Sequence, residues 1–81
     1  MYLHLGNGVS INGNDVIAIL NLKDIKETKE YKEFYRKLLE ENRVVDISNG
    51  NEKSFILTAK QNQLKAYISN IGSNTIGKRK G

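Results

Sequence analysis

The stretch Val16-Ile17-Ala18-Ile19-Leu20-Asn21-Leu22 indicates the fold class, because it is a β-branched, apolar run of strand length. It lacks alternation of apolar and polar residues, which predicts apolar side chains on both faces of a sheet. Two shorter alternating segments, residues 2–5 and 9–11, precede it. Gly6-Asn7-Gly8 and Asn12-Gly13-Asn14 separate the three segments and favour tight turns, so we predict three strands joined as antiparallel hairpins.

Helical periodicity replaces strand periodicity after this run. Large apolar residues recur on one face of residues 24–42, namely Tyr31, Phe34, Tyr35, Leu38 and Leu39. The pattern predicts one amphipathic helix whose aromatic stripe packs on the sheet, while its other face is charged. Asp24 with Glu27 has the form of a capping box, and Thr28 is the alternative N-cap.

Strand periodicity returns in residues 44–47, and residues 53–58 and 64–68 follow as two further predicted strands. Residues 48–52 and 60–63 have the composition of turns. The resulting order, βββ-α-βββ, predicts an α+β fold with a small antiparallel β-sheet and one amphipathic helix. We expect a single domain over residues 1–81, with a basic C-terminal tail from about residue 70.

The predicted sheet carries more apolar surface than one helix can cover. We therefore predict a homo-oligomer, because soluble monomers rarely expose large apolar patches and 81 residues provide only a small core. The predicted interface residues are Val16, Ala18, Leu20, Phe55 and Leu57. The alternative is that the strands curl or split, so that both apolar faces meet inside one barrel-like core.

Composition and spacing exclude several kinds of site. The chain has no Cys and a single His, His4, which rules out a thiol nucleophile, structural zinc and a His-pair metal site. The glycines near the start separate strands and lack the Lys-Ser/Thr ending of a phosphate-binding loop. We predict no catalytic residue, metal or cofactor. The apolar runs are far shorter than the ~20 residues that span a bilayer, so we expect a cytoplasmic protein.

The positive charge is unevenly distributed along the chain. Thirteen Lys and Arg against nine Asp and Glu give a net charge of +4, and Lys78, Arg79 and Lys80 account for three of those charges. Residues 23–43 are nearly neutral. Binding to a phosphate backbone requires several cations on one surface, so two interpretations stay open: a solvated basic tail or an anion-binding surface.

Six segments together resemble the RemA/RemB family of extracellular matrix regulatory proteins. They are Met1-Tyr2-Leu3-His4-Leu5-Gly6, Asp15-Val16-Ile17-Ala18-Ile19-Leu20, Val44-Val45, Lys53-Ser54-Phe55-Ile56-Leu57-Thr58, Tyr67-Ile68-Ser69, and Thr75-Ile76 followed by Lys78-Arg79. The resemblance covers almost the whole chain, although Asn70 stands where the family usually has Pro and Gly72 where it usually has Ser. It implies a bacterial protein in transcriptional control of biofilm-matrix genes, with ring-forming oligomers whose protomers are LytTR-like.

The chain departs from the family's DNA-binding pattern at three positions. RemA-type proteins carry Arg where this chain has Asp15, and Gly-Arg-Arg where it has Gly50-Asn51-Glu52. Carboxylates repel phosphate, so the remaining nucleic-acid-binding candidates are Asn51, Lys53, Lys78, Arg79 and Lys80. Two functions stay open. The family role and the basic tail favour double-stranded DNA binding through a repeated basic surface, whereas Asp15 and Glu52 favour a non-DNA-binding oligomeric scaffold or accessory partner of a RemA-type regulator.

Overall fold

A computed structural model describes the backbone of residues 1–80 and the side chains of residues 1–78. The strands are β1 (Tyr2–Gly6), β2 (Val9–Asn12), β3 (Val16–Asn21), β4 (Val44–Asp46), β5 (Ser54–Lys60) and β6 (Gln63–Ser69). The helices are α1 (Leu22–Ile25), α2 (Lys29–Glu40) and α3 (Ser73–Lys80). No helix in this described part of the chain has both the length and the apolar character needed to cross a membrane.

The central layer is a four-stranded sheet in the order β3-β5-β6-β4. β5 pairs antiparallel with both β3 and β6, whereas β4 pairs parallel with β6. The prediction of a wholly antiparallel sheet is therefore wrong at β4. The long connection after β4 is the reason, because it returns the chain to the centre of the sheet instead of closing a tight hairpin.

The hairpin of β1 and β2 forms a separate two-stranded sheet. Its turn at Asn7 and Gly8 was predicted and has positive φ at both residues. The second predicted hairpin turn, Asn12-Gly13-Asn14, is wrong, since a 3-10 turn over Gly13–Asp15 lies there and β3 pairs with β5. The Asn12 side chain accepts a hydrogen bond from the Asn14 N–H at 2.9 Å, which favours this local turn over a hairpin.

Both faces of the four-stranded sheet are covered within one protomer. One face packs against α1 and α2 around Phe55, and the other packs against the β1–β2 hairpin and Ile76 of α3. The argument that a two-faced sheet requires a partner chain is therefore wrong for this fold, because the hairpin supplies the second cover. The alternative, in which the strands enclose one barrel-like core, is also wrong. The helices, the four-stranded sheet and the hairpin stack in layers, with a separate hydrophobic cluster on each face of the sheet.

The aromatic stripe of the predicted helix packs on the sheet as expected. The Tyr31 and Phe34 rings meet the Phe55 ring edge-on, with centroids 5.3 and 6.4 Å apart. The predicted helix over residues 24–42 is in fact two helices. Thr28 is the N-cap of α2, since its hydroxyl accepts the Tyr31 N–H at 3.2 Å, while α1 is a separate single turn.

The C-terminal segment that was predicted as a tail forms α3. Ile76 is fully buried, and two serines fix the preceding residues: Ser54 donates to the Ile71 carbonyl at 2.7 Å, and Ser69 accepts the Ile71 N–H at 3.0 Å. The Ser69 hydroxyl also donates to the Leu5 carbonyl at 2.6 Å. These bonds tie the start of α3 to both the central sheet and the hairpin.

Candidate nucleic-acid interface

A groove of about 640 Å³ lies where β3 ends, and its walls carry three lysines. Lys23 and Lys26 come from α1 and the residue after it, and Lys53 comes from the residue before β5. Glu52 and the first residues of α3 complete the walls. We call this feature the lysine groove.

Backbone hydrogen bonds hold all three lysines in place. The Lys23 N–H donates to the Asn21 side chain at 3.0 Å, and the Lys26 N–H donates to the Leu22 carbonyl at 2.8 Å. Lys53 joins two strand ends, because its carbonyl accepts the Leu22 N–H at 3.0 Å and its N–H donates to the Ser69 carbonyl at 2.9 Å. The backbone is thus fixed, and all three lysines are exposed to solvent.

The ammonium groups of the lysine groove are not neutralised by neighbouring carboxylates. Among the described side chains, ion pairs within 4.0 Å join α2 residues to each other or to Glu27, and join Arg43 to Glu41. The three groove lysines take part in none of these pairs. With Glu52 as the acidic residue of the wall, the lining carries a formal charge of +3 − 1 = +2.

A second groove, of about 650 Å³, lies at the opposite end of β3 and is less suited to an anion. Its cations are Arg43, Lys60 and Lys65, and its carboxylates are Asp15 and Glu41, which gives +3 − 2 = +1. The Arg43 Nε lies 3.0 Å from the Glu41 carboxylate, so one of these cations is already paired. The lysine groove therefore carries the greater net positive charge.

The structure separates the predicted nucleic-acid-binding residues. Lys53 lies in the lysine groove, whereas Asn51 is an exposed loop residue outside its lining, and its N–H donates to the Ser48 carbonyl at 3.1 Å. Lys78 is exposed on α3. The side chains of Arg79 and Lys80 lie outside the described residues.

The positions that correspond to the arginines of RemA-type proteins do not meet within one protomer. Asp15 precedes β3, while Glu52 lies beside the far end of the same strand, where Asn21 pairs with Ser54. The five residue steps from Val16 to Asn21 extend over roughly 17 Å. Of these two carboxylates, only that of Glu52 lies in the lysine groove.

The predicted interface residues also fall into two groups. Val16 and Ala18 are half-buried on β3, and Leu20 is 39% exposed there. Phe55 is 1% exposed, and Leu57 packs against the same core beneath α2. Phe55 and Leu57 are therefore used inside the protomer, because β5 is a central strand, and only the β3 residues reach an edge.

Sequence reasoning missed Lys23 and Lys26. Residues 23–43 have almost no net charge, and a continuous helix would have placed Lys26 four residues before Glu30, in position for an ion pair. The helix break before Thr28 prevents that pairing. The available signal was the Thr28 N-cap, since a helix that begins at residue 29 leaves both lysines outside it.

Two tyrosines with raised pKa values, Tyr31 and Tyr35, pack against the core beneath α2 and lie outside the lysine groove. Burial raises the pKa of Tyr31 to about 12, with further contributions from Tyr35 and from the negative charges of Glu52 and Asp46. Burial likewise raises the pKa of Tyr35. Both phenols are therefore neutral at physiological pH and act as packing groups.

The fold and the family comparison define a small α+β regulatory protein. Residues 2–79 match the RemA-like family, described as extracellular matrix regulatory protein A-like, and the chain belongs to this family. It is also similar to extracellular matrix regulatory protein B of Bacillus subtilis (strain 168). The two are 30% identical over 79 residues, covering 98% of this chain and 89% of the relative. Both descriptions are of regulatory proteins and neither is of an enzyme.

Proposed function

We propose that this protein is a DNA-linked regulator of extracellular-matrix genes and that the lysine groove contacts the phosphates of double-stranded DNA. The observation that carries the proposal is the presence of three lysines on one groove, none of them paired with a described carboxylate. Membership of a family described as extracellular matrix regulatory proteins supports the regulatory role. The LytTR-like character that the resemblance implies also agrees with DNA binding.

Phosphate contact is the chemistry that best fits these side chains. Each phosphate neutralised by a lysine releases condensed counterions, so affinity rises with the number of contacts and falls with salt. Lysine presents a point charge that tolerates variable phosphate geometry, whereas reading base edges usually requires planar, bidentate groups. We therefore expect the lysine groove to provide affinity with little sequence preference.

The start of α3 adds to this surface. Ser73, Asn74 and Thr75 line the lysine groove, and the first N–H groups of a helix have no partners within it. The partial positive charge at a helix N-terminus favours anions. The hydrogen bonds of Ser54 and Ser69 to Ile71 hold the segment that leads to this helix start.

One lysine groove gives only a few phosphate contacts, so the proposed function includes self-association. In an oligomer, the second groove binds at a high effective concentration once the first has engaged, which increases overall affinity without new contacts. The ring that the resemblance implies would repeat the lysine groove around one assembly. A cytoplasmic location is consistent with binding chromosomal DNA.

A second candidate function is an oligomeric scaffold or accessory partner of a RemA-type regulator, without direct DNA contact. Two observations favour it: Glu52 places a carboxylate in the wall of the lysine groove, and Asp15 places another at the start of β3. A carboxylate in the wall repels phosphate and weakens the net attraction. The two functions differ in a measurable property, which is the affinity of the protein alone for duplex DNA.

The test is fluorescence anisotropy of a labelled mixed-sequence duplex at low salt. The variant Lys23→Ala/Lys26→Ala/Lys53→Ala should bind roughly tenfold or more weakly than the unmodified protein, because three phosphate contacts are lost. The matched control is Lys29→Ala/Lys32→Ala/Lys37→Ala, which removes the same charge from exposed positions of α2. This control should keep most of the affinity.

Three results would contradict the proposal. Equal weakening by both triple variants would show that only net charge matters. Full affinity of the groove variant would exclude the groove. Absence of duplex binding by the unmodified protein, with binding to a purified RemA-type paralogue, would support the accessory function instead.

A further inference from the structure

The chain contains the dipeptide Asn-Gly three times, at residues 7–8, 12–13 and 49–50. Asparagine is a chemically labile residue, and it loses its side-chain amide most readily before glycine. Glycine has no side chain to keep its backbone nitrogen away from the asparagine amide. The reaction also requires that this nitrogen is free and that the backbone opens locally. The structure distinguishes the three sites on both requirements.

Asn12-Gly13 is protected by the fold. The Gly13 N–H donates to the Met1 carbonyl at 2.8 Å, and Gly13 is buried. The Asn12 side chain accepts the Asn14 N–H at 2.9 Å. Both reacting groups are therefore held by hydrogen bonds, and the glycine nitrogen is shielded from solvent.

Asn7-Gly8 is exposed but lies in a constrained turn. Both residues are open to solvent, and a side chain at Gly8 would meet nothing within 4 Å. They form the tight turn of the β1–β2 hairpin, in which Gly6 pairs with Val9. The paired strands on either side limit the movement of this turn.

Asn49-Gly50 has neither kind of protection. Both residues are exposed, and the Gly50 N–H takes part in no hydrogen bond among the described residues. The turn is closed by the Asn51 N–H, which donates to the Ser48 carbonyl at 3.1 Å. The flanking strands, β4 and β5, pair with other strands and not with each other. Opening this turn therefore disrupts no strand pairing.

We propose that Asn49-Gly50 is a site of spontaneous deamidation in the folded protein. The Gly50 nitrogen loses its proton to a solvent base and attacks the side-chain carbonyl carbon of Asn49. A new C–N bond closes a cyclic imide, and the side-chain nitrogen takes up a proton and leaves as ammonia. Water then opens the imide at either carbonyl, which gives aspartate or isoaspartate. The net change replaces an amide with a carboxylate, and nothing is oxidised or reduced.

The modification adds a negative charge to the loop that leads to Glu52 and Lys53. It reduces the net charge of +4 by one, and Asn49 lies three positions before Glu52, whose carboxylate is in the wall of the lysine groove. A further carboxylate here repels phosphate, and the repulsion is strongest at low salt. Deamidation therefore weakens phosphate binding by the groove. This consequence rests on the proposed function, whereas the modification itself does not.

The test is mass spectrometry of peptides from the full chain after incubation in mildly alkaline buffer, with chromatographic separation of the isoaspartate forms. In the folded protein, Asn49 should convert severalfold faster than Asn7, and Asn12 should convert most slowly. The matched control is the same chain in denaturant, where the three sites should convert at similar rates because glycine follows each of them. Asn49→Gly should remove conversion at this site alone, since glycine tolerates the positive φ of residue 49.

The relative rates decide whether the site is correct. Equal rates at the three positions of the folded protein would overturn the proposal, as would faster conversion at Asn7 or Asn12 than at Asn49. An unchanged Asn49 in the folded protein, under conditions in which the denatured chain converts, would also overturn it.

Duplex binding separates the modification from its consequence. Asn49→Asp carries the charge of the product and should bind duplex DNA severalfold more weakly than the unmodified protein at low salt. Asn14→Asp is the matched control, because it adds the same charge at an exposed position before β3, away from the lysine groove, and it should keep most of the affinity. Equal weakening by both variants would contradict the local effect of the charge.

The two measurements also separate this proposal from the proposed function. Conversion at Asn49 in a protein that does not bind duplex DNA would contradict the function of the lysine groove while supporting the modification site. Duplex binding without conversion at Asn49 would contradict the modification site and leave the groove in place.

Discussion

Lys53 illustrates how position decides the role of a residue in this protein. Its backbone bridges the ends of β3 and β6, so its side chain is held near Lys23 and Lys26, although Lys53 lies 27 positions after Lys26 in the chain. Lys29 and Lys32 have the same chemistry but lie within 4.0 Å of Glu33 and Glu27. The sequence identified Lys53 as a candidate, whereas the convergence of the three lysines depends on long-range pairing that local patterns do not contain.

Tyr31 gives a pH-dependent prediction at the scale of one residue. Its folded-state pKa of about 12 lies above the ordinary value of 10.0, so the folded protein holds this proton more tightly than the unfolded chain. The resulting stability should be fully present below about pH 10 and should be lost as the pH rises toward 12.

Denaturant unfolding at several alkaline pH values checks this prediction. Tyr31→Phe should reduce the fall in unfolding free energy over that pH range, because the phenol that titrates there is removed. An identical pH profile for the variant and the unmodified protein would show that Tyr31 is not responsible.

Among the elements, those fixed by local patterns were predicted and those fixed by distant pairing were not. The β5–β6 hairpin was predicted at residues 60–63, and Gln61 and Asn62 have the positive φ values of its turn. The parallel pairing of β4 with β6 was missed, since alternation indicates a strand but not its direction. α3 was missed because its apolar contact with the core depends largely on Ile76.

The docking of α3 on the core gives a stability prediction, which concerns Ile76. Because its side chain is fully buried between α3 and the hairpin, Ile76→Ala should lower the unfolding free energy by about 2–5 kcal/mol. The neighbouring exposed residue offers the control, and Thr75→Ala should change stability by less than about 0.5 kcal/mol. Chemical denaturation measures both. Equal, small effects would mean that α3 does not dock on the core.

For the whole molecule, the covered sheet changes the reason to expect self-association. The prediction from apolar surface left one face of the sheet uncovered by the helix, whereas the structure covers both faces and leaves β3 at an edge of the sheet. Three of the five predicted interface residues, Val16, Ala18 and Leu20, lie on that strand, and their contact with a second chain stays a prediction. The other two, Phe55 and Leu57, lie on the central strand β5 and pack inside the protomer, because the sequence pattern does not specify the order of strands in the sheet.

The central claim is that the lysine groove contacts DNA phosphates, and the salt dependence of binding tests it most directly. The logarithm of the binding constant should fall linearly with the logarithm of the salt concentration, with a slope of roughly 0.9 per phosphate contact. We predict that Lys23→Ala/Lys26→Ala/Lys53→Ala makes this slope shallower, by roughly 0.9 for each lost contact. Lys29→Ala/Lys32→Ala/Lys37→Ala should leave it unchanged. The same slope in all three proteins would contradict the claim.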